Sequence, residues 1–284
     1  MKVAVIGAKG QLGSDLVKVF DADEVISLTH EEIEVEHLDS CKIFKKSTPD
    51  VIVNTAAFHK TDACEDNPEK TFLVNTIGAK NVAETCSELD AILIYISTDY
   101  VFDGNKGVPY NEYDTPNPIN TYGISKLAGE FYTKLAEKYY VVRVASLFGV
   151  AGASGKGGNF VETMISKARS GQEIKVVDDI VMSPTYTKEA AIMVKNIVKN
   201  ALPFGEYHVT NDGYCSWYEF AKTIFELLGT DVVLQPIKAR SLNLKAKRPA
   251  FSALETVKLR KHALEMDTWK EALKKYLKEK GQIY

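Results

Sequence analysis

Cysteine is scarce in this chain of 284 residues: Cys41, Cys64, Cys86 and Cys215 stand far apart, and no two form a Cys-x-x-Cys pair. That argues against a disulfide framework and a thiolate zinc site, and predicts reduced, mostly buried thiols in a reducing compartment. Histidine is nearly as rare, with five residues and no pair at metal-ligand spacing, so no catalytic metal is expected. Positive charge is not in surplus either. The formal net charge of −3 gives no general attraction to nucleic acid or anionic lipid, and an anionic ligand must be met by local clusters. No apolar run approaches the roughly 20 residues of a membrane span. The first strand begins two residues from the start, which leaves no room for a signal peptide, so a cytoplasmic location is expected. Internal repeats and low-complexity tracts are absent.

What is present is ordinary globular composition, 45% hydrophobic and 26% charged, arranged in a strict alternation. Val3 to Ile6, Val25 to Leu28, Val51 to Asn54, Ile92 to Ile96 and Tyr140 to Val144 read as strands. Gly13 to Phe20, Asp39 to Lys46, Pro68 to Leu89 and Thr121 to Lys138 read as helices between them. This predicts an α/β fold with a parallel, doubly wound sheet, whose ligands sit beyond the carboxyl ends of the strands. After Gly149 the pattern changes. Ala151 to Gly158 reads as a mobile loop, Asn159 to Ser170 and Lys188 to Asn200 as helices, and Ile174 to Val177 as a strand. Glu206 to Thr210 reads as a strand returning to the main sheet, and Trp217 to Leu228 and Asp267 to Glu279 as amphipathic helices. The expected organisation is a dinucleotide-binding domain over 1–150, rejoined by about 185–211. A smaller mixed α/β region, mainly substrate-binding, spans 151–284.

The first strand runs into Gly7-Ala8-Lys9-Gly10-Gln11-Leu12-Gly13. Glycines where a strand passes to a helix permit the tight turn, let the backbone approach a pyrophosphate, and bring the helix close to the strand. The helix amides then offset the phosphate charge. A bare match to this spacing is weak, but four apolar residues just before it favour a cofactor cradle over a plain turn. The second strand ends Ser27-Leu28-Thr29-His30-Glu31. An acid at that tip would favour NAD and an arginine NADP; Thr29 and His30 supply neither, so NADPH and NADH are both expected to work.

A fourth strand ends in Ser97 and Thr98, and Tyr122 and Lys126 follow four residues apart on one helix face. A free tyrosine titrates near about 10, and a neighbouring ammonium is expected to lower that and make Tyr122 a usable general acid. Thr98 would hold a substrate carbonyl for hydride attack. Alone, Tyr-x-x-x-Lys occurs by chance on many helices; behind the strand tip and the glycine turn it carries weight. His59 reads as a loop residue as much as a contact, His208 as structural, and Tyr110 and Tyr113 as loop-shaping. Lys245, Lys247 and Arg248 form a small basic run that can receive a diphosphate or simply be solvated, and Trp217 to Phe225 reads as core.

These motifs resemble the extended short-chain dehydrogenase/reductases, and within them the dTDP-4-dehydrorhamnose reductases. The likeness continues through Asn54-Thr55-Ala56-Ala57-Phe58, Asp62-Ala63-Cys64-Glu65 and Ser97-Thr98-Asp99-Tyr100-Val101-Phe102-Asp103-Gly104. It extends to Tyr122-Gly123-Ile124-Ser125-Lys126-Leu127-Ala128-Gly129-Glu130, Ser216-Trp217-Tyr218-Glu219 and Arg248-Pro249-Ala250-Phe251-Ser252. The resemblance implies a Rossmann-like fold and NAD(P)H-dependent reduction of the C4 keto group of a nucleotide-linked 6-deoxy sugar. It implies Thr98, Tyr122 and Lys126 as the catalytic trio. Gly7, Gly10, Gln11, Leu12, Gly13, Ala56, Ala57 and Asn75 would meet the cofactor, with Glu34 and Val35 by the adenine. Tyr100 and Asn159 would lie near the sugar nucleotide and Arg248 near its anionic part. A homodimer is among the expected states. Leu147 stands where many members carry a tryptophan beside the sugar, and His59-Lys60-Thr61 is also unusual. Two alternatives share the fold: a cofactor-binding regulatory subunit like that of methionine adenosyltransferase, which would not need the trio, and a nucleotide-sugar epimerase or dehydratase. A dehydratase would want two acids after the strand-end hydroxyl, where Asp99 is followed by Tyr100.

Overall fold

Each strand of the first half alternates between two apolar faces, and the fold covers both. In this computed structural model, which describes residues 1–152, 158–171 and 173–284, six strands form one sheet. They are β1 (Lys2–Ile6), β2 (Glu24–Leu28), β3 (Val51–Asn54), β4 (Ile92–Thr98), β5 (Tyr139–Val144) and β6 (Gly205–His208). Their order is β6-β5-β4-β3-β1-β2, and every pairing is parallel. Val3, Val5, Val51, Val53, Ile94 and Val142 face one way, onto α1 (Gln11–Val19). Ala4, Ile6, Ile52 and Leu93 face the other, with Val82 and Cys86 of α2 (Gly78–Leu89). A parallel sheet buried on both faces needs such continuous β-branched runs.

The helix after β4, α3 (Thr121–Thr133), is shorter than the sequence pattern predicts. Its end is capped at Lys134, whose N–H bonds the Glu130 carbonyl, and residues 134–138 turn into β5. The predicted helix from Pro68 to Leu89 is a continuous helical run, but it contains a π turn at Leu73–Ile77. The predicted helix at Asp39 to Lys46 divides into a 3-10 turn, Leu38–Lys42, and a short helix, Ile43–Ser47.

Beyond β5, α4 (Phe160–Arg169), α6 (Trp217–Leu228) and α7 (Trp269–Glu279) surround a second core of Val161, Met164, Ile174, Phe220, Ile224, Leu273 and Tyr276. Serine and threonine caps with glutamate three residues on, Ser216 with Glu219 and Thr268 with Glu271, start two of these helices. Between them α5 (Thr187–Lys199) packs on the first core through Ala190, Val194 and Ile197, and β6 pairs with β5. The chain then crosses back a second time. Leu254 joins Val101, Phe102 and Tyr110, and Leu259 joins the first core. Residues 153–157 of the expected loop from Ala151 to Gly158 lie outside the described residues.

Candidate functional site

The tips of β1 to β5 open on a cavity of about 820 Å³. At its floor the Gly7 and Ala8 amides both donate to the Leu28 carbonyl, at 2.8 and 3.0 Å, tying the glycine turn to the end of β2. Gly7 has a φ of +79°, and a Cβ on Gly13 would lie 2.1 Å from the Gly7 oxygen, so α1 can approach the strand only without a side chain there. A Cβ on Gly10 would meet only that same oxygen, at 3.0 Å, so its backbone is otherwise open at the start of α1. Gln11 also lines the cavity. Its Nε2 donates to the Leu147 carbonyl at 2.9 Å, while its Oε1 is a buried acceptor with no donor among the described residues. Bare backbone at a helix start and a buried acceptor facing a large cavity fit a dinucleotide.

The reaction centre is buried. Lys126 is 1% exposed and Thr98 6% exposed. Asn120 caps α3 by accepting the Gly123 amide at 2.8 Å, and Glu65 accepts both the Thr121 amide and hydroxyl, at 2.9 and 2.6 Å. A Cβ on Gly123 would stand 2.1 Å from the Tyr100 oxygen, so this glycine lets the helix press Tyr122 against the strand tip. Tyr122 meets Tyr100 edge to face at 6.0 Å. Lys126 Nζ donates to the Ile96 carbonyl at 2.6 Å and sits 3.8 Å over the Tyr95 ring. Burial pushes Lys126 down to about 7, opposed by the Glu130 carboxylate. Burial also raises Tyr122 well above the ordinary phenol value, with the Thr98 hydrogen bond working the other way. The sequence reading has Lys126 lowering the Tyr122 pKa; here desolvation outweighs any such effect and the ammonium is spent on Ile96 and Tyr95.

Below these residues lies a buried ion pair. Arg143 donates from Nε and Nη2 to the two Glu130 oxygens, at 2.9 and 2.7 Å, and Ser97 donates to Oε1 at 2.6 Å. His208 is buried beside it with its pKa held far below normal by burial, as befits a structural residue.

Gly7, Gly10, Gln11, Leu12, Gly13, Val35, Ala56, Ala57, Thr98, Tyr100, Tyr122, Lys126 and Asn159 all line the one cavity. Glu34 does not; it points toward His37, 3.7 Å away, and Glu36 takes the wall. Asn75 sits in the π turn as a brace. It accepts the Phe58 amide at 2.8 Å and donates to the Phe58 carbonyl and Ser125 hydroxyl, at 3.0 and 2.9 Å. It therefore supports Ala56, Ala57 and the catalytic helix from behind. Asn159 lines the cavity with its amide already committed, to Glu162 as the cap of α4 and to Gly149 and Tyr276. Arg248 faces a separate recess of about 300 Å³ with Arg240 and Lys247, and donates to Asp62 at 3.1 Å.

Several lining residues escaped the sequence reading. Trp217 packs against the second core, as its helix face predicts, and also opens on the cavity at the first turn of α6, 4.6 Å from the Phe160 ring. His59, Lys9 and Ser146 line the cavity as well, and Ser146 holds a φ of +42° beside Leu147. Past the tip of β2, Glu31 lines the cavity, whereas Glu32 does not and instead accepts the Thr29 amide at 2.6 Å and the Thr29 hydroxyl besides. The Thr-x-x-Glu spacing at 29–32 was the signal for it.

A family model described as the RmlD substrate binding domain matches residues 1–281. The spore coat polysaccharide biosynthesis protein SpsK of Bacillus subtilis is 38% identical over 99% of this chain and 98% of that protein. The dTDP-4-dehydrorhamnose reductase of Mycolicibacterium smegmatis is 34% identical over 96% of this chain and 84% of that protein. Among solved structures, dTDP-4-dehydrorhamnose reductase from Bacillus anthracis in complex with NADP superposes with a TM-score of 0.93 at 35% identity. That match covers 98% of this chain and 99% of the other.

Proposed function

The chain belongs to the RmlD substrate binding domain family, and from that premise we propose how its residues work. The protein is an NAD(P)H-dependent reductase of the C4 keto group of a dTDP-linked 6-deoxy sugar, taking dTDP-4-dehydro-L-rhamnose to dTDP-L-rhamnose. The observation that carries the reading is the meeting, in one cavity, of the Gly7 to Gly13 cradle with Thr98, Tyr122 and Lys126. When bound, the reduced nicotinamide supplies the hydride. Tyr122 donates the proton to the C4 oxygen, and its raised pKa keeps it loaded at neutral pH. Lys126, anchored on Ile96, stands ready to hold a ribose hydroxyl. Thr98, at the tip of β4, holds the substrate carbonyl for hydride attack. Gly10 and the start of α1 receive the pyrophosphate. Phe160 and Trp217 supply the aromatic wall that Leu147 does not, and Tyr100 closes the sugar side.

Residues 1–150 with 185–211 form the dinucleotide-binding unit, and most of 151–284 the substrate-binding region. The segment 249–260 is the exception, since it packs back on the first core. Two copies join through the outer face of α3, where Ile124 and Phe131 are exposed, with Leu135 just past the helix end and Leu73 exposed as well. Phe131→Glu is then expected to shift the sedimenting species from dimer to monomer. The cytoplasm is the location this reading gives the protein, in keeping with its four buried thiols; no described helix is long and apolar enough to cross a membrane. The decisive experiment is NADPH and NADH oxidation against dTDP-, GDP- and UDP-linked 4-keto sugars. Turnover confined to the dTDP-linked substrate is the expected result, and no oxidation with any of them would defeat the reading.

A further inference from the structure

Gln11 belongs to the glycine turn by sequence, yet its side chain reaches out of it. Its Nε2 donates to the Leu147 carbonyl at 2.9 Å, 136 positions along the chain. The sense of the amide is fixed, because a carbonyl oxygen only accepts and the nitrogen must face it. Oε1 is buried with no donor among the described residues, so the side chain has a single directed hold. Gly149 lies against its stem: a Cβ there would stand 3.2 Å from Gln11 Cγ and 1.9 Å from Thr187 Oγ1. One turn further along α1, Asp15 Oδ2 accepts the Thr187 hydroxyl at 2.6 Å.

The segment that Gln11 grips is bent and joins the two cores. Ser146 holds a φ of +42°, a left-handed conformation that a residue with a side chain keeps only where its surroundings over-determine it. Leu147 packs on the first core and Phe148 in the second. Three carbonyls of this segment take donors from elsewhere. Ser146 accepts the Thr185 amide at 3.3 Å, Leu147 accepts Gln11 Nε2, and Gly149 accepts Asn159 Nδ2 at 3.0 Å. Gln11 thus holds Leu147 itself, which lines the cavity, while Asn159 ties the far end of the segment to the cap of α4.

We propose that Gln11 is a positioning residue for the nucleotide-sugar side of the site: its side chain keeps Leu147 in place for the sugar, while the backbone of the same turn serves the cofactor. The proposal rests on the functional reading, in which Phe160 and Trp217 wall the sugar side of the cavity. The division follows from the chemistry. Amides at a helix start offset a pyrophosphate without help from a side chain, so the cofactor turn has no need of a glutamine. Losing Nε2 leaves the Leu147 carbonyl without its donor and the Ser146 bend with one restraint fewer. The bend then relaxes and Leu147 leaves its place. Gly149 and its bond to Asn159 carry that displacement toward α4, away from Gly7 to Gly13.

The test is a pair of calorimetric titrations, one with NADPH and one with dTDP-L-rhamnose, joined by kcat and KM for the keto sugar. They are run on wild type, Gln11→Met, Leu147→Ala and the double variant, each first shown to be folded by circular dichroism. Methionine keeps the stem against Gly149 and removes the donor. Gln11→Met should weaken dTDP-L-rhamnose about three- to tenfold and raise KM by a similar factor, with NADPH affinity within about twofold of wild type. Leu147→Ala should repeat that pattern, and in the double variant the two losses should not add, because both act through Leu147. An equal loss of NADPH affinity, an unchanged affinity for dTDP-L-rhamnose, or fully additive losses would each overturn the proposal. Should Gln11→Met not fold, carbon-13 methyl NMR of Leu147 in the wild type decides it. That resonance, identified by its absence in Leu147→Ala, should shift with dTDP-L-rhamnose and much less with NADPH; the reverse order would overturn the proposal. Failure of the functional reading is separate: the wild type would then bind no dTDP-L-rhamnose and oxidise no cofactor, and the proposal would fall with it.

Discussion

The two ends of the cavity are built on opposite terms. At the end where we propose that the cofactor's adenosine binds, the charged side chains of Lys9 and Glu31 are exposed. At the reaction end Lys126, Asp99 and Glu130 are buried, and the Lys126 and Asp99 pKa values are displaced by that burial. Water screens the first group, so each charge there contributes little and is easily exchanged. No such screening reaches the second. A partner removed there leaves a group that must shift its pKa or destabilise the fold. The same residue types thus set preference at one end and chemistry at the other.

The sharpest way to break that contrast is the ion pair under the reaction end. Arg143→Met leaves Glu130 charged, buried and held only by Ser97, and should cost about 3–5 kcal/mol in urea unfolding. A loss under about 1 kcal/mol would show that this end is less dry than its burial suggests. Next comes Tyr122→Phe, which keeps the ring against Tyr100 but removes the proton, and should lower kcat about a hundredfold or more. Binding of NADPH by calorimetry should be nearly unchanged; turnover close to wild type would remove Tyr122 from its role.

Between the two ends stands the cradle. Gly10→Val puts a branched side chain where the backbone meets the pyrophosphate, and affinity for both cofactors should fall tenfold or more with the fold intact. Equal affinity would make the loop a mere turn. The smallest effect belongs to the exposed end. Lys9→Ala should weaken NADPH about two- to fivefold relative to NADH, and Glu31→Gln should favour NADPH by a similar factor. Both differences should shrink in 0.5 M salt, where the screening length is only a few ångströms. Effects of a hundredfold, insensitive to salt, would mean that this end is not governed by screened charge.

Legibility followed the same division. The glycine turn, the β4 tip and the Tyr122–Lys126 pair were readable because each depends on neighbours within one turn or one strand end. Trp217 packs on the second core as expected, but the apolar face of Trp217–Leu228 does not tell that its first turn also meets the cavity. Arg248 was placed by its motif near the substrate's charge, while the fold sets it toward Asp62. Asn75, expected at the cofactor, does not line the cavity, and its part as a brace appears only with the π turn that aims it at Phe58.

By itself the sequence determined the parallel order of strand and helix, the glycine turn after β1, and the residue types that meet at the tip of β4 and on α3, since period-two and period-3.6 patterns and glycine geometry are local properties of the chain. Tertiary structure alone decided the electrostatic state of that centre. The fall of Lys126, the rise of Tyr122, and the contact of Ser252 with Asp99 across 153 positions of sequence all arise when distant segments exclude water from one another. Desolvation belongs to the packed whole and has no sequence period to betray it.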